Sequence, residues 1–169
     1  LLNRYTLGGS IRFDGSDLFG VDKKYRYLPL YSVSALWRIS EEPFTENAKW
    51  LDNLVIRASY GLQGNIDKNT SPYLLGKYQS NATPILPGNT EDMIVVTSAP
   101  NDKLRWEKTH SVNVGLDFAV LNQAINLSVD YYYRKGVDLI GMQMLPLETG
   151  FSSTNINWAS MTNKGIEIG

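Results

Sequence analysis

The chain has 169 residues, 43% hydrophobic and 20% charged, with 14 Gly, 7 Pro and no Cys. Sixteen basic against seventeen acidic side chains leave a formal charge of −1, which argues against a general electrostatic grip on nucleic acid. Without Cys there is no disulfide framework, thiolate nucleophile or Cys-based zinc site, and no apolar run approaches the ~18 residues that a spanning helix requires.

Nearly every patterned segment alternates with a period of two, the mark of a strand with two unlike faces. In the first, Tyr5, Leu7, Gly9, Ile11 and Phe13 oppose Arg4, Thr6, Ser10, Arg12 and Asp14. A second sets Tyr31, Val33, Ala35, Trp37 and Ile39 against Ser32, Ser34, Arg38 and Ser40. Glu42 to Lys49 suggests at most a short helical turn, and then Leu54, Ile56, Ala58, Tyr60 and Leu62 alternate with Arg57, Ser59, Gly61 and Gln63. The fourth and fifth strands are the clearest: Val112, Val114, Leu116, Phe118 and Val120, then Ile125, Leu127, Val129, Tyr131 and Tyr133, each with polar or small residues between. A weaker sixth covers about Asn157 to Gly169. The prediction is an all-β chain.

The connections have a rhythm of their own. Gly15 to Arg26, Asn65 to Leu104 and Gly141 to Asn155 are long, while Glu41 to Leu51 is shorter and Leu121 to Gln123 is a tight turn. Long loops at one end and brief turns at the other are the habit of an antiparallel transmembrane β-barrel, with the turns on the periplasmic side. A soluble sandwich also alternates, so parity alone leaves both readings open. The distribution of aromatics favours the barrel. Phe13, Tyr31, Tyr60, Tyr131 and Tyr133 fall near the outer strand ends and Tyr5, Trp37 and Phe118 near the inner ends, with aliphatic and small residues between. These are the expected lipid-interface girdles. The opposite parity carries Arg12, Arg38, Arg57, Asp117, Asp130, Arg134 and Glu167, the expected polar lining of a lumen. Six strands are too few to close a barrel, and open edges are not tolerated in lipid. The chain opens on Leu1 with no initiator Met or signal peptide, and ends in a strand-like pattern, so it is expected to be a fragment of a larger barrel.

Several blocks also resemble one known family. Arg12-Phe13-Asp14-Gly15-Ser16 with Phe19-Gly20, Ser32 through Phe44 (SVSALWRISEEPF) and Leu54 through Asn65 (LVIRASYGLQGN) are similar to stretches of SusC/RagA-type TonB-linked outer-membrane transporters. Trp106-Glu107-Lys108-Thr109, Gly115-Leu116-Asp117-Phe118, Asp130-Tyr131-Tyr132-Tyr133 with Asp138-Leu139, Thr149-Gly150-Phe151 and Asn163-Lys164-Gly165-Ile166-Glu167 follow in that family's order. One departure is Leu30-Tyr31 between Pro29 and Ser32, where many members pass straight from Pro to Ser. The resemblance implies a single barrel of about 22 strands filled by a plug, in the outer membrane of a Gram-negative, Bacteroidota-like bacterium. It implies import of a bulky nutrient, most often a glycan and sometimes a peptide. The implied partners are a SusD-like surface lipoprotein as lid and the TonB complex, engaged through an N-terminal box. No plug or TonB-box stretch is recognised in residues 1–169, so the whole chain is expected to be part of the barrel domain.

No catalytic or metal constellation stands out, and no enzyme activity or cofactor is expected. His110 is the sole His and falls on the apolar parity. Glu41 and Glu42 are adjacent, hence on opposite sides of an extended chain, and read as turn residues. Asp14, Ser16, Asp17 and Asp22 lack the spacing of a calcium loop. Tyr73 and Tyr78, in the Asn/Thr/Pro-rich stretch 65–104, are candidates to stack on a sugar ring or to meet the lid. Met142, Met144, Leu145 and Leu147 are apolar for a loop and suggest a protein contact. The rival functions are a soluble carbohydrate-binding sandwich and a passive porin.

Overall fold

The structure is a computed structural model that describes residues 3–18, 26–82 and 91–169. Eight strands follow one another: β1 (Tyr5–Gly15), β2 (Tyr27–Arg38), β3 (Leu51–Asn65), β4 (Leu75–Ala82), β5 (Glu91–Ser98), β6 (Glu107–Val120), β7 (Ile125–Met144) and β8 (Ser153–Ile168). Six of them form one antiparallel sheet in the order β1-β2-β3-β6-β7-β8, and β4 pairs with β5 as a separate hairpin. The six strands read from the alternation are thus the six of the main sheet. Asp22 and Phe19-Gly20 lie outside the described residues.

Register carries the two-faced pattern across the whole sheet. On one face, Leu7, Ala35, Ala58, Val114, Tyr131 and Ile166 form an unbroken row across six strands. The next polar row is Thr6, Leu36, Arg57, Gly115, Asp130 and Glu167. Because side chains alternate with period two, this register keeps every apolar residue of the rows on the same side.

No second layer covers the apolar face among the described residues. Leu7 is 74% exposed and Ile168 73%, whereas a sandwich would bury such positions between two sheets. The buried apolar residues lie elsewhere. Leu28, Leu30, Leu104 and Trp106 form a small core at the loop end of the sheet, with Leu18, Leu62, Ile66 and Ile140 against it. Pairing between β2 and β3 runs from Ser32–Gly61 to Arg38–Val55, so this core sits beyond the last paired row. Gly64 faces it, and a Cβ there would stand 2.6 Å from Leu28 Cδ2.

Several boundaries differ from the sequence reading. The stretch 65–104 contains the β4–β5 hairpin, which its polar composition concealed. β7 runs to Met144 and β8 starts at Ser153, so the connection between them is shorter than the expected Gly141 to Asn155. Their length is interrupted by a bulge at Gly136–Leu139, where Asp138 takes φ 57°. The β2–β3 connection carries two 3-10 turns, Ile39–Glu41 and Pro43–Thr45. The β6–β7 turn places Leu121, Asn122 and Gln123 at φ 58°, 56° and 63°. Hydrogen bonds from Leu121 N to Trp50 O (3.1 Å) and from Gln123 N to Asp52 Oδ2 (2.9 Å) hold it against the neighbouring connection.

Candidate functional site

The polar face gathers its charges in the middle of the sheet. Arg57 on β3 donates from Nη2 to Asp117 Oδ1 on β6 at 3.0 Å, and its Nε lies 2.9 Å from the other carboxylate oxygen as an ion pair without hydrogen-bond geometry. The same Nη2 reaches Asp130 on β7 at 3.1 Å, crossing β6 to do so. It can cross because Gly115 lies between them in the row. A Cβ there would stand 2.4 Å from Asp130 Oδ1 and 2.9 Å from Arg57 Nη2. Ser128 donates to Asp117 at 2.9 Å and closes the group. The remaining charges are dispersed: Arg12 pairs with Asp14 at 3.3 Å, Arg38 donates to the Asn3 carbonyl at 2.7 Å, and Arg134 covers the Tyr132 ring at 5.7 Å. Glu167 lies across from Asp130 in register. The structure therefore brings three of the seven predicted polar residues into one cluster.

On the apolar face the aromatics follow an oblique line. Take the row Gly9, Val33, Tyr60, Val112, Tyr133 as a reference. Phe13 is four residues towards the loop end from Gly9, Tyr31 is two from Val33, Tyr60 and Tyr133 are on the row, and Tyr131 is two on the other side. At ~3.4 Å per residue and ~4.8 Å between strands, this descent of four to six residues over four strand spacings corresponds to an inclination of roughly 35–45°. Tyr31 and Tyr60 stand 5.9 Å apart, and Tyr60 Oη shares a 2.8 Å hydrogen bond with His110 Nδ1.

At the turn end, Tyr5 stacks on Trp37 at 6.3 Å, and both donate to Glu42, with Trp37 Nε1 at 3.1 Å. Arg4 adds a third donor at 3.4 Å. Glu42 is buried, and the Tyr5 hydroxyl above all, then Trp37 and Arg4, holds its carboxyl below the ordinary carboxylate range. Phe118 lies one apolar position further towards the turn end on β6. Reading Glu42 as a turn residue located it correctly and missed these partners. Tyr5 and Trp37 preceded it in the sequence with nothing to show that they converge.

At the loop end a polar clamp fixes the segments around Thr70 and around Asn101 to Arg105 to β7 and β8. Buried Asn157 donates from Nδ2 to the Arg105 and Asp138 carbonyls, both at 2.7 Å, and accepts from Arg105 N at 3.0 Å. The Asp138 carboxylate accepts from Arg105 at 2.7 Å and pairs with Lys108 at 3.3 Å. Asn101 donates to the Asn155 carbonyl at 2.9 Å, and Asn155 donates to Thr70 at 3.4 Å. Thr70 in turn donates to Asp67 at 2.5 Å, and that hydroxyl, followed by the Asn69 N–H, keeps the Asp67 carboxyl below its usual range.

Beside the clamp lies a cavity of about 360 Å³ lined by Asn69, Thr70, Ser71, Thr97, Ser98, Ser153, Thr154 and Asn155, with Leu75, Ala99 and Met142. Its lining side chains are hydroxyls, amides and short apolar groups, and none is charged. Ser98 Oγ is buried without a partner in the structure. Tyr73 and Tyr78 do not line it. Both are exposed, and Tyr78 Oη donates to Asp92 at 2.5 Å. Met142, Met144 and Leu147 are exposed too. Among the described residues no group of three or more His, Cys, Asp or Glu could hold a metal ion.

Comparison with known proteins agrees with this architecture. The family model described as TonB dependent receptor-like, beta-barrel, matches residues 1–169. TonB-dependent receptor P26 of Formosa agariphila is 35% identical over 166 residues, 98% of this chain and 16% of that protein. TonB-dependent receptor SusC of Bacteroides thetaiotaomicron is 35% identical over 172 residues, 99% of this chain and 17% of its own length. The chain thus spans about a sixth of these relatives. Among solved structures, the RagAB peptide importer in its "open-open" state superposes with a TM-score of 0.78 at 29% identity, over 98% of this chain and 17% of that one.

Proposed function

Since the chain belongs to the TonB-dependent receptor-like β-barrel family, we propose that it forms the wall, lumen lining and outer loops of an importer for bulky nutrients. The importer sits in the outer membrane of a Gram-negative, Bacteroidota-like bacterium. Residues 1–169 belong to the barrel domain, and a plug and TonB box elsewhere in the protein couple it to the TonB complex. A SusD-like surface lipoprotein closes over the loop end. Two features of the sheet support this role. Its uncovered apolar face carries an aromatic line inclined by roughly 35–45°, which matches the tilt of barrel strands. Its other face is charged and hydroxylated, as a water-filled route requires. The family is one of receptors, and the chain's part in it is structural and ligand-binding rather than catalytic.

The observation that carries the ligand class is the cavity beside the clamp. Convergent hydroxyls and amides with short apolar flanks suit a neutral polyhydroxylated ring, which needs many hydrogen bonds and no counter-charge. We infer a glycan as cargo. A structural relative is described as a peptide importer, so peptides are the competing class. Titrating the full-length protein and its lipoprotein with neutral oligosaccharides and with peptides of equal mass separates them. Glycan binding should weaken about fivefold in Ser98→Ala and Thr154→Val, each losing one hydrogen bond. Binding of peptides alone overturns the glycan assignment. Uptake in cells should vanish without the TonB machinery; uptake that persists would mark a passive porin.

A further inference from the structure

The apolar face does not end at its aromatics. Just beyond Tyr133 on β7 the next residue of that face is Lys135, and its register partners are His110 on β6 and Thr162 on β8. Lys164 on β8 is paired with Tyr133, so the two lysines are diagonal neighbours on the same face. Diagonal positions on adjacent strands lie ~7–8 Å apart, within joint reach of one anionic group. Both lysines are exposed, and neither has an ion pair among the described residues. The nearby carboxylate of Asp138 is already engaged by Arg105 and Lys108.

The inclined aromatic line gives their depth. Continued through Tyr131 and Tyr133 to β8, it passes close to Ile166, so on the loop side Lys135 stands one apolar position beyond Tyr133, Lys164 one beyond Ile166 and His110 one beyond Val112. Aromatic rings mark the level of the headgroups, and long cationic side chains next to them extend towards charge in the interface. The row below is apolar: Leu116 and Val114 on β6, Val129 and Tyr131 on β7, Ile166 and Ile168 on β8. Apolar wall below, rings at the boundary and two unpaired ammonium groups above match a lipid with acyl chains and a phosphate.

We propose that Lys135 and Lys164, with the Tyr60–His110 pair and Tyr133 alongside, form a site for the phosphate-bearing headgroup of an outer-leaflet lipid. The proposal rests on the reading of the apolar face as lipid-facing. The full-length protein in mild detergent is offered phosphatidylglycerol or phosphatidylcholine of identical chains, and the bound lipid is counted by native mass spectrometry. A preference for phosphatidylglycerol is expected. It should fall about fivefold in Lys135→Gln or Lys164→Gln and about 25-fold in the double variant, from the attraction of one lysine for an anionic surface. Excess inorganic phosphate should leave the retention unchanged. Equal retention of both lipids, an unaltered preference in the double variant, or displacement by inorganic phosphate each overturns the site. Flotation of the protein with phosphatidylcholine vesicles tests the underlying reading separately. A protein that floats without a lipid preference sinks only the headgroup site, whereas one that does not float sinks the lipid-facing assignment itself.

Discussion

Single residues carry two of the arrangements. Gly115 is the opening through which Arg57 meets a second carboxylate, and its alternation pattern marked it only as a small residue on the polar side. Gly115→Ala should drive Asp130 and the Arg57 guanidinium apart, since the added Cβ crowds both Asp130 Oδ1 and Arg57 Nη2. The pair is half exposed, so the loss is about 0.5–1 kcal/mol. Denaturant unfolding of the full-length protein, followed by Trp fluorescence, measures it. Adding Asp130→Asn should cost less in the Gly115→Ala background than in the parent, because both changes remove the same contact. Glu42 gives a pH-dependent case. Its folded carboxyl titrates below the ordinary value of 4.5, so its contribution is complete above that value and is lost as pH falls through the lower folded one. Glu42→Gln should therefore lower the thermal midpoint at pH 7, with the gap to the parent closing on acidification below about pH 4.5. A gap independent of pH would mean that the charge plays no part.

At the scale of elements, strands were legible and clamps were not. Period-two alternation needs only neighbouring residues, so β1, β3, β6 and the first half of β7 could be read directly. The outer half of β7 was obscured by an irregularity, since its pairing with β8 breaks between Gly136 and Leu139 and again between Leu139 and Ile140, with Asp138 at φ 57°. Leu28 and Leu30 break the rule in the other direction. They are apolar residues on the polar parity of β2, and the packed cluster with Leu104 and Trp106 is the reason. Their alternation with Tyr27 and Pro29 was the available signal. The clamp centred on Asn157 joins residues about 50 positions apart and left no local trace. Asn157→Ala would leave two carbonyls and one N–H without this partner, lowering the opening free energy of the segment around Arg105 by about 2 kcal/mol. Trypsin cleavage in the stretch holding Lys103 and Arg105 should then accelerate about thirtyfold when opening and reclosing are fast. Unchanged cleavage would show that the loop is held by its apolar core instead.

For the molecule as a whole, the uncovered apolar face and the outer edges of β1 and β8 determine behaviour in water. Leu7, Ile11, Phe13, Ile166 and Ile168 lie exposed on the two edge strands, where unpaired backbone invites association. The 169-residue chain in detergent-free buffer should aggregate rather than show a cooperative melt, which light scattering alongside circular dichroism will report; a reversible monomeric transition would revive the soluble sandwich. What the sequence determined by itself was the strand period, the division of residues between two faces, and the family. These are local or linear properties, preserved when the chain is read one residue at a time. Only the tertiary structure decided which polar residues meet: Arg57 with Asp117 and Asp130, Glu42 with Tyr5 and Trp37, Asn157 with Arg105 and Asp138. Those encounters depend on register, on a glycine of the right size between two side chains, and on one bulge. Each is set by pairing between strands distant in sequence, where the energy of a contact has no signature in either strand alone.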